Sequence, residues 1–149
     1  MKRQIRSLVF FLGLAVAACS GRSENPSGLS AAGAATGTPK VEIAFLNHAP
    51  VLMALADVDT LLASYGDKVT VTRYDLETDE GAQFVKSRRL TGHVPIAIFI
   101  NGSMDIKLKD RSVKFLSFPQ GKGTFMAASG SWTVEDLRQA IDQALSRAE

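Results

Sequence analysis

The stretch VEIAFLNHAPVLMAL, from Val41 to Leu55, decides the fold because a strand pattern passes directly into a helix pattern. VEIAFLN is a short run of mostly apolar residues, which is typical of a buried strand. The apolar residues after it recur at steps of three and four, which predicts one buried helical face. Pro50 near the first turn and Gly66 after the last turn agree with a helix between them. The residues of the predicted face are Val51, Leu55, Val58, Leu62 and Tyr65.

Strand and helix patterns alternate along the rest of the chain. Lys68 to Leu76 is a second predicted strand, Ala82 to Leu90 a short helix, and Pro95 to Ile100 an apolar strand that should be covered on both faces. MDIKLK and VKFLSF are two further strand candidates, and TVEDLRQAIDQAL is a final helix with Thr133 as its N-cap. We therefore expect an α/β domain over residues 41–149 in the order β-α-β-α-β-β-α, with one more strand possible.

Residues 1–18 have the features of a bacterial export signal. Basic residues precede an apolar run that ends at Ala18 and is shorter than the roughly 20 residues of a membrane-spanning helix. The residues Val16 to Cys19 resemble a lipobox, the signal after which a cysteine is lipidated and becomes the new N-terminus. We predict that Cys19 is lipidated, and Ser20 after it favours the outer membrane where the host has one. The alternative is an ordinary secretory peptide with an incidental cysteine.

Residues 19–40 would carry the lipid and a flexible tether, because the residues after Cys19 are small, polar and aperiodic. The chain has 17 basic and 15 acidic residues; loss of residues 1–18 removes 3 basic residues and leaves 14 against 15, a net charge of −1. This balance, together with export, argues against nucleic acid as a partner.

Thiol chemistry is restricted by the presence of a single cysteine, Cys19. One cysteine cannot form an intramolecular disulfide, although export implies an oxidising compartment. Thiol–disulfide exchange needs an attacking thiolate and a second thiol. The composition therefore excludes an independent dithiol oxidoreductase.

The region from Val41 to Gly102 resembles a thioredoxin-like domain without gaps. In that family the first central strand ends in Cys-Gly-Pro-Cys and enters a helix. Here His48, Ala49, Pro50 and Val51 hold those positions, so only the proline is shared. KVTVTRYDLE resembles the next strand of the family. TGHVPIAIFING resembles the segment with the family's cis-proline, which implies a cis bond between Val94 and Pro95.

The resemblance also implies a buried acid–base pair. The family carries an acid six residues before its first active-site cysteine and a basic residue facing that acid on the next strand. Glu42 and Arg73 hold these positions. We expect a structural pair, because the cysteine that the acid assists is missing. On this basis Arg73→Ala should destabilise the protein more than Arg88→Ala.

The architecture that the resemblance implies is a three-layer α/β/α sandwich with a mixed sheet of four to five strands. The core resembles the minimal, glutaredoxin-like version, because the tether replaces the N-terminal strand and helix of full thioredoxins. Residues 103–129 are extra and form a hairpin or a long loop before the last helix.

The extra segment is rich in basic and aromatic residues. Its alternating Lys residues indicate either an edge strand with one solvated face or a docking surface for anionic headgroups or an acidic partner. Its large apolar residues either cap the core or form an exposed patch. The basic residues are Lys107, Lys109, Arg111 and Lys114, and the large apolar residues in or near the segment are Phe115, Phe118, Phe125, Met126 and Trp132.

These features favour a non-catalytic module of the cell envelope that binds a polypeptide or a small ligand. In thioredoxin-like domains the loop before the cis-proline pairs with an extended peptide by strand addition, which needs no cysteine. His48, Pro50, Val94 and Pro95 would form the contact patch. The alternatives are a redox accessory that acts with a cysteine-bearing partner, or a His48-dependent enzyme.

We expect neither a metal nor another cofactor. His48 and His93 are the only histidines, and two histidines without a clustered third ligand are weak support for a metal site. No catalytic residue is assigned. The expected partners are the membrane, through the lipid, and an envelope protein or peptide, and the expected state is a monomer.

Overall fold

The computed structural model describes residues 37–122 and 129–148. The predicted signal segment, Cys19, Phe125 and Met126 lie outside the described residues. Within these ranges the elements are β1 (Lys40–Phe45), α1 (Ala49–Tyr65), β2 (Thr70–Asp75), α2 (Asp79–Arg88), β3 (Ile96–Ile100), β4 (Asp105–Lys107), β5 (Ser112–Lys114) and α3 (Val134–Ser146), with a short 3-10 helix (Gly66–Lys68) before β2. The predicted α/β order is confirmed, including the additional strand. Among these helices, none combines the length and the apolar character needed to cross a bilayer.

Three strands form a mixed sheet in the order β2-β1-β3. β1 runs parallel to β2 and antiparallel to β3. β4 and β5 pair with each other in a separate antiparallel ladder. In the described residues, therefore, the main sheet has three strands, and a single sheet of four to five strands is not shown.

The chain after β5 returns to β3 but does not extend the sheet as a regular strand. Ala97 and Leu116 form an isolated antiparallel bridge. Ser117 donates its N–H to the Ile96 carbonyl oxygen (2.8 Å). However, Ser117 has a φ of 68°, and this left-handed backbone interrupts an extended ladder. The contact therefore ends after one short segment.

Two clusters of buried side chains cover the two faces of the sheet. Ile96, Ile98 and Ile100 belong to the cluster that contains the inner faces of α1 and α3. Ala97 and Phe99 belong to a smaller cluster that α2 completes with Phe84. Successive side chains of a strand point to opposite faces. Since both faces of the sheet are covered, all five residues of β3 are buried. The prediction that this strand is covered on both faces is confirmed.

α2 begins at Asp79, three residues earlier than the sequence predicted. Thr78 is its N-cap, and the Thr78 hydroxyl accepts a hydrogen bond from the Gly81 N–H (3.1 Å). Asp79 and Glu80 occupy the first turn, where acidic side chains are stabilised by the helix dipole. The polar sequence ETDEG (residues 77–81), which precedes the helix predicted from Ala82, therefore contains the helix start.

α3 begins with a capping box, in which the predicted N-cap residue Thr133 and Asp136 exchange hydrogen bonds. Arg111, at the end of the β4–β5 turn, donates to both carboxylate oxygens of Asp136 (2.6 Å each). Burial alone would raise the pKa of Asp136, but hydrogen bonds from Thr133 and the charge of Arg111 hold that pKa below its usual range. The hairpin is thus fixed to the start of α3.

The extra segment contributes to the core. Phe115, Phe118 and Trp132 are at most 2% exposed, so these three residues cap the core, and an exposed patch that includes them is ruled out. Lys107, Lys109 and Lys114 remain exposed. Their exposure agrees with an edge strand that has one solvated face.

Candidate binding site

Three loops meet at one end of the three-stranded sheet, which we call the His48 end. The Leu46 N–H donates to the Pro95 carbonyl oxygen (3.0 Å), and the Leu76 N–H donates to the Phe45 carbonyl oxygen (2.9 Å). Since β1 is parallel to β2 and antiparallel to β3, the ends of β1 and β2 lie beside the start of β3. The loops comprise residues 46–48, 76–78 and 89–95.

The quartet His48, Ala49, Pro50 and Val51 forms the corner between β1 and α1. His48 is the N-cap residue with extended backbone (φ −115°, ψ 144°). Pro50 lies in the first helical turn, where its missing N–H loses no helical hydrogen bond. Val51 is buried in the core at 3% exposure, and the other three residues are exposed. The structure therefore places Pro50 and Pro95 at the same end of the sheet, with Val51 inaccessible to a ligand.

His48 faces a carboxylate from the neighbouring loop. Its Nε2 lies 3.2 Å from Oε1 of Glu77, and the two side chains are 57% and 52% exposed. Behind this pair, Asp75 accepts hydrogen bonds from Asn47 Nδ2 (3.0 Å) and from the Glu77 N–H (3.0 Å). The sequence analysis missed Asp75 and Glu77. Their position at the end of β2 could have identified them, because polar residues at the ends of neighbouring parallel strands meet at one edge of the sheet.

The histidines do not assemble a metal centre with the side chains that the structure describes. His93 lies exposed in the loop before β3. No group of three or more His, Cys, Asp and Glu residues within residues 37–122 and 129–148 could hold a metal ion. Over the same ranges, the hydrogen bond of the His48 ring is with Glu77, and no hydroxyl group forms a hydrogen bond with the ring. These contacts supply neither a metal site nor a hydrolytic dyad with its nucleophile.

A small apolar cleft opens between the loop before β3 and α2. Its volume is about 190 Å³, below the roughly 300 Å³ at which pockets begin to hold a drug-sized ligand. The cleft can therefore take one side chain and not a whole cofactor. Its lining residues are Leu46, Leu76, Val85, Leu90, Gly92, His93 and Val94.

The start of α1 presents an apolar face to solvent. Met53 is 75% exposed and Leu52 is 44% exposed. Ala49, Pro50 and Ala56 are exposed in the same two turns, and Asp57 is the first charged residue of the helix. A helix that is apolar on both its inner and its outer side is usually covered by another structure.

The predicted contact patch is only partly exposed. Val94 is only 8% exposed and packs in the cluster that contains Phe84, and Pro95 is buried. Val94 still lines the cleft. The apolar surface that a ligand could reach comes instead from Leu52 and Met53, which the sequence analysis assigned to no site.

The predicted Glu42–Arg73 pair does not form. Glu42 pairs with Arg88 of α2, and Arg73 pairs with Asp59 of α1. In the parallel register Arg73 lies opposite Ile43 and not opposite Glu42. Because neighbouring residues of a strand point to opposite faces, Arg73 faces α1 while Glu42 faces α2. Burial lowers the pKa of Arg73.

We expect Arg88→Ala to lower the free energy of unfolding by about 2 kcal/mol, because it leaves a partly buried carboxylate unpaired. The Glu42 side chain is only 17% exposed. The Arg88 guanidinium also lies 5.3 Å from the Phe84 ring centre and 5.1 Å from that of Phe99. Urea unfolding followed by Trp132 fluorescence measures the loss.

Arg73→Ala is the matched control and should cost only about 0.5 kcal/mol, as exposed ion pairs do. Arg73 and Asp59 are 37% and 48% exposed. This ranking reverses the one expected from the sequence. Losses of equal size, or a larger loss for Arg73→Ala, would contradict the pairing described above.

The His48 end thus combines an apolar helix face, a cleft for one side chain and an imidazole–carboxylate pair. Comparisons with models of known protein families, with curated proteins and with solved structures give no match for this chain. The ligand chemistry must be inferred from the surface itself.

Proposed function

We propose that this chain is an exported, lipid-anchored domain of the thioredoxin-like class that binds a polypeptide at the His48 end without catalysing a reaction. The sheet order β2-β1-β3, with a parallel and an antiparallel pair, supports the class. So does the hydrogen bond between Leu46 and Pro95, which holds the proline loop beside the start of α1. The α/β/α sandwich and the cis bond before Pro95 belong to this proposal.

The observation that carries the binding function is that the His48 end has both an exposed apolar start of α1 and a cleft of side-chain size. Met53 is 75% exposed, and the cleft of about 190 Å³ suits one anchoring side chain of a longer chain. A polypeptide is long enough to contact both features of this end, whereas a small ligand of the cleft's volume fills the cleft alone.

Backbone groups at the proline loop add a second contact. The N–H and C=O of Val94 form no hydrogen bond with the described residues. The Val94 side chain packs in a core cluster, but strand addition by an extended peptide uses only these backbone groups. This pairing needs no thiol, and it is the contact that the resemblance implied for this loop.

We expect Met53→Asp to weaken polypeptide binding about tenfold, since a desolvated apolar anchor contributes 1.4 kcal/mol or more. Peptides selected from a random display library against the purified protein provide the ligand, and fluorescence anisotropy gives their dissociation constants. An Asp near the start of a helix does not oppose the helix dipole, so the variant should stay folded.

Thr60→Asp is the matched control, because Thr60 is an exposed residue further along the same helix. It should leave the dissociation constants unchanged. Repeated selections that enrich no peptide, or peptides that bind both variants equally, would overturn the proposed function.

The anchoring part of the proposal depends on Cys19, which lies outside the described residues. Cys19→Ser should move the protein from the membrane fraction to the soluble fraction, because a lipid attached to this thiol would be lost. Fractionation in 0.5 M salt followed by immunoblotting measures the distribution. If the variant stays with the membrane as fully as the parent chain, Cys19 is not the anchor.

A further inference from the structure

β2 is an edge strand whose outer backbone groups have no strand partner in the described sheet. In the order β2-β1-β3, β1 is the only strand beside it among residues 37–122 and 129–148. The Thr70 N–H donates to the Pro39 carbonyl oxygen (2.8 Å), and the Leu76 N–H donates to the Phe45 carbonyl oxygen (2.9 Å). In a parallel pair, alternate residues bond to the same neighbour. The even-numbered residues of β2 therefore face β1, and the N–H and C=O groups of Val71 and Arg73 point outward.

This edge has few of the features that keep edge strands from pairing. β2 is six residues long and contains neither Pro nor Lys. Its charge at Arg73 is compensated by Asp59. Val71 is 39% exposed, and beside it an open groove runs along Asp59, Leu62, Ala63 and Gly66. Long, accessible edges of this kind are templates for another strand.

The sequence favoured a monomer, but on these observations we propose that β2 pairs with β2 of a second copy of this chain, antiparallel and with Thr72 opposite Thr72 of the partner. The two sheets would join into one sheet of six strands. Val71 of each copy would lie opposite Arg73 of the other, and each of these two pairs would exchange two N–H···O bonds. All outward groups of Val71 and Arg73 would then be bonded.

Strand length and charge select this register over its neighbours. With Val71 opposite Val71, only residues 70–72 of β2 would pair with β2 of the partner. With Arg73 opposite Arg73, two guanidinium groups would face each other. With Thr72 at the centre, residues 70–74 pair, no like charges oppose each other among them, and Thr–Thr pairs across strands are favourable.

The contact area of two strands is small, so the dimer should be weak and concentration-dependent. Oxidative cross-linking detects such a contact. At the centre of the proposed interface, the two copies of Thr72 form a pair without hydrogen bonds between them. The Cα atoms of such a pair are about 4.5 Å apart, which is within disulfide range. Thr72→Cys in the Cys19→Ser chain should give a disulfide-linked dimer whose yield rises at least fivefold between about 5 and 100 µM protein.

Thr70→Cys is the matched control, because the two copies of residue 70 would be about 13 Å apart along the strands and should cross-link at least tenfold less. Val71→Pro removes one outward N–H, which an edge strand tolerates, and should abolish the Thr72→Cys dimer while the circular dichroism spectrum stays unchanged. Equal yields at residues 70 and 72, a yield independent of protein concentration, or a dimer that survives Val71→Pro would overturn the proposal. The absence of any cross-link, as when another segment of the same chain covers β2, would overturn it as well.

Discussion

Trp132→Ala should lower the free energy of unfolding by about 4 kcal/mol, the largest single loss that we expect in this protein. Trp132 is fully buried (0% exposed) and meets Phe115 edge to face, with ring centres 5.7 Å apart. Its Nε1–H donates to the carbonyl oxygens of Leu116 and Ser117 (3.2 Å each). The substitution leaves a cavity under the extra segment and removes the indole N–H that these two carbonyl groups share.

Trp132→Phe separates these two effects, because it keeps most of the ring volume and removes only the donor and part of the indole. We expect a loss of about 2 kcal/mol. Since Trp132 is the only tryptophan, its fluorescence is lost in both variants and unfolding in urea must be followed by circular dichroism. A loss below about 1 kcal/mol for Trp132→Ala would show that the extra segment is not part of the cooperative core.

Gly81→Ala should destabilise the protein by about 3 kcal/mol, although alanine is the better helix former by about 1 kcal/mol. A Cβ at residue 81 would overlap the carbonyl oxygen of Asp75 and would lie 2.6 Å from the Asp75 carbonyl carbon and 2.7 Å from the Leu76 Cα. These are backbone atoms, which cannot turn away as the end of a side chain can. The steric cost therefore exceeds the gain in helix propensity.

The same substitution should also weaken peptide binding at the His48 end, because the displaced loop carries Asp75, Leu76 and Glu77. Gln83→Ala is the control, since Gln83 is an exposed residue of the same helix. It should change the free energy of unfolding by less than about 0.5 kcal/mol. A Gly81→Ala protein as stable as the parent chain would mean that α2 does not pack closely on the end of β2.

Local patterns determined the secondary structure well. The periodicity after Val51 gave α1, the apolar run after Pro95 gave β3, and Thr133 gave the N-cap of α3. These signals act over a few residues, so a single stretch of sequence contains them. The start of α2 was misplaced because ETDEG suits both a turn and a capped first helical turn. In the structure, the Thr78 cap and the close approach of Gly81 to the end of β2 accompany the helical turn.

The pairings between distant residues were harder to predict. Arg73 was assigned to Glu42 because both stand at positions that the thioredoxin-like pattern marks, but the side chains point to opposite faces of the sheet. Arg88 is 46 residues from Glu42, and its pairing depends on how α2 crosses the sheet. Likewise, the apolar character of Leu52 and Met53 does not by itself show whether these side chains are buried. Only the packing of α1 shows that both remain exposed.

By itself, the sequence determined the order of strands and helices, the corner at His48 and the lack of a second thiol, because each depends on residue type and short-range spacing. Tertiary structure alone decided which cation meets Glu42, that Trp132 and the extra segment close the core, and that β2 is an edge strand of the sheet formed by the described residues. The physical reason is that charge pairing, cavity filling and exposure depend on the relative orientation of elements. That orientation is set by the packing of the whole core and not by any one segment.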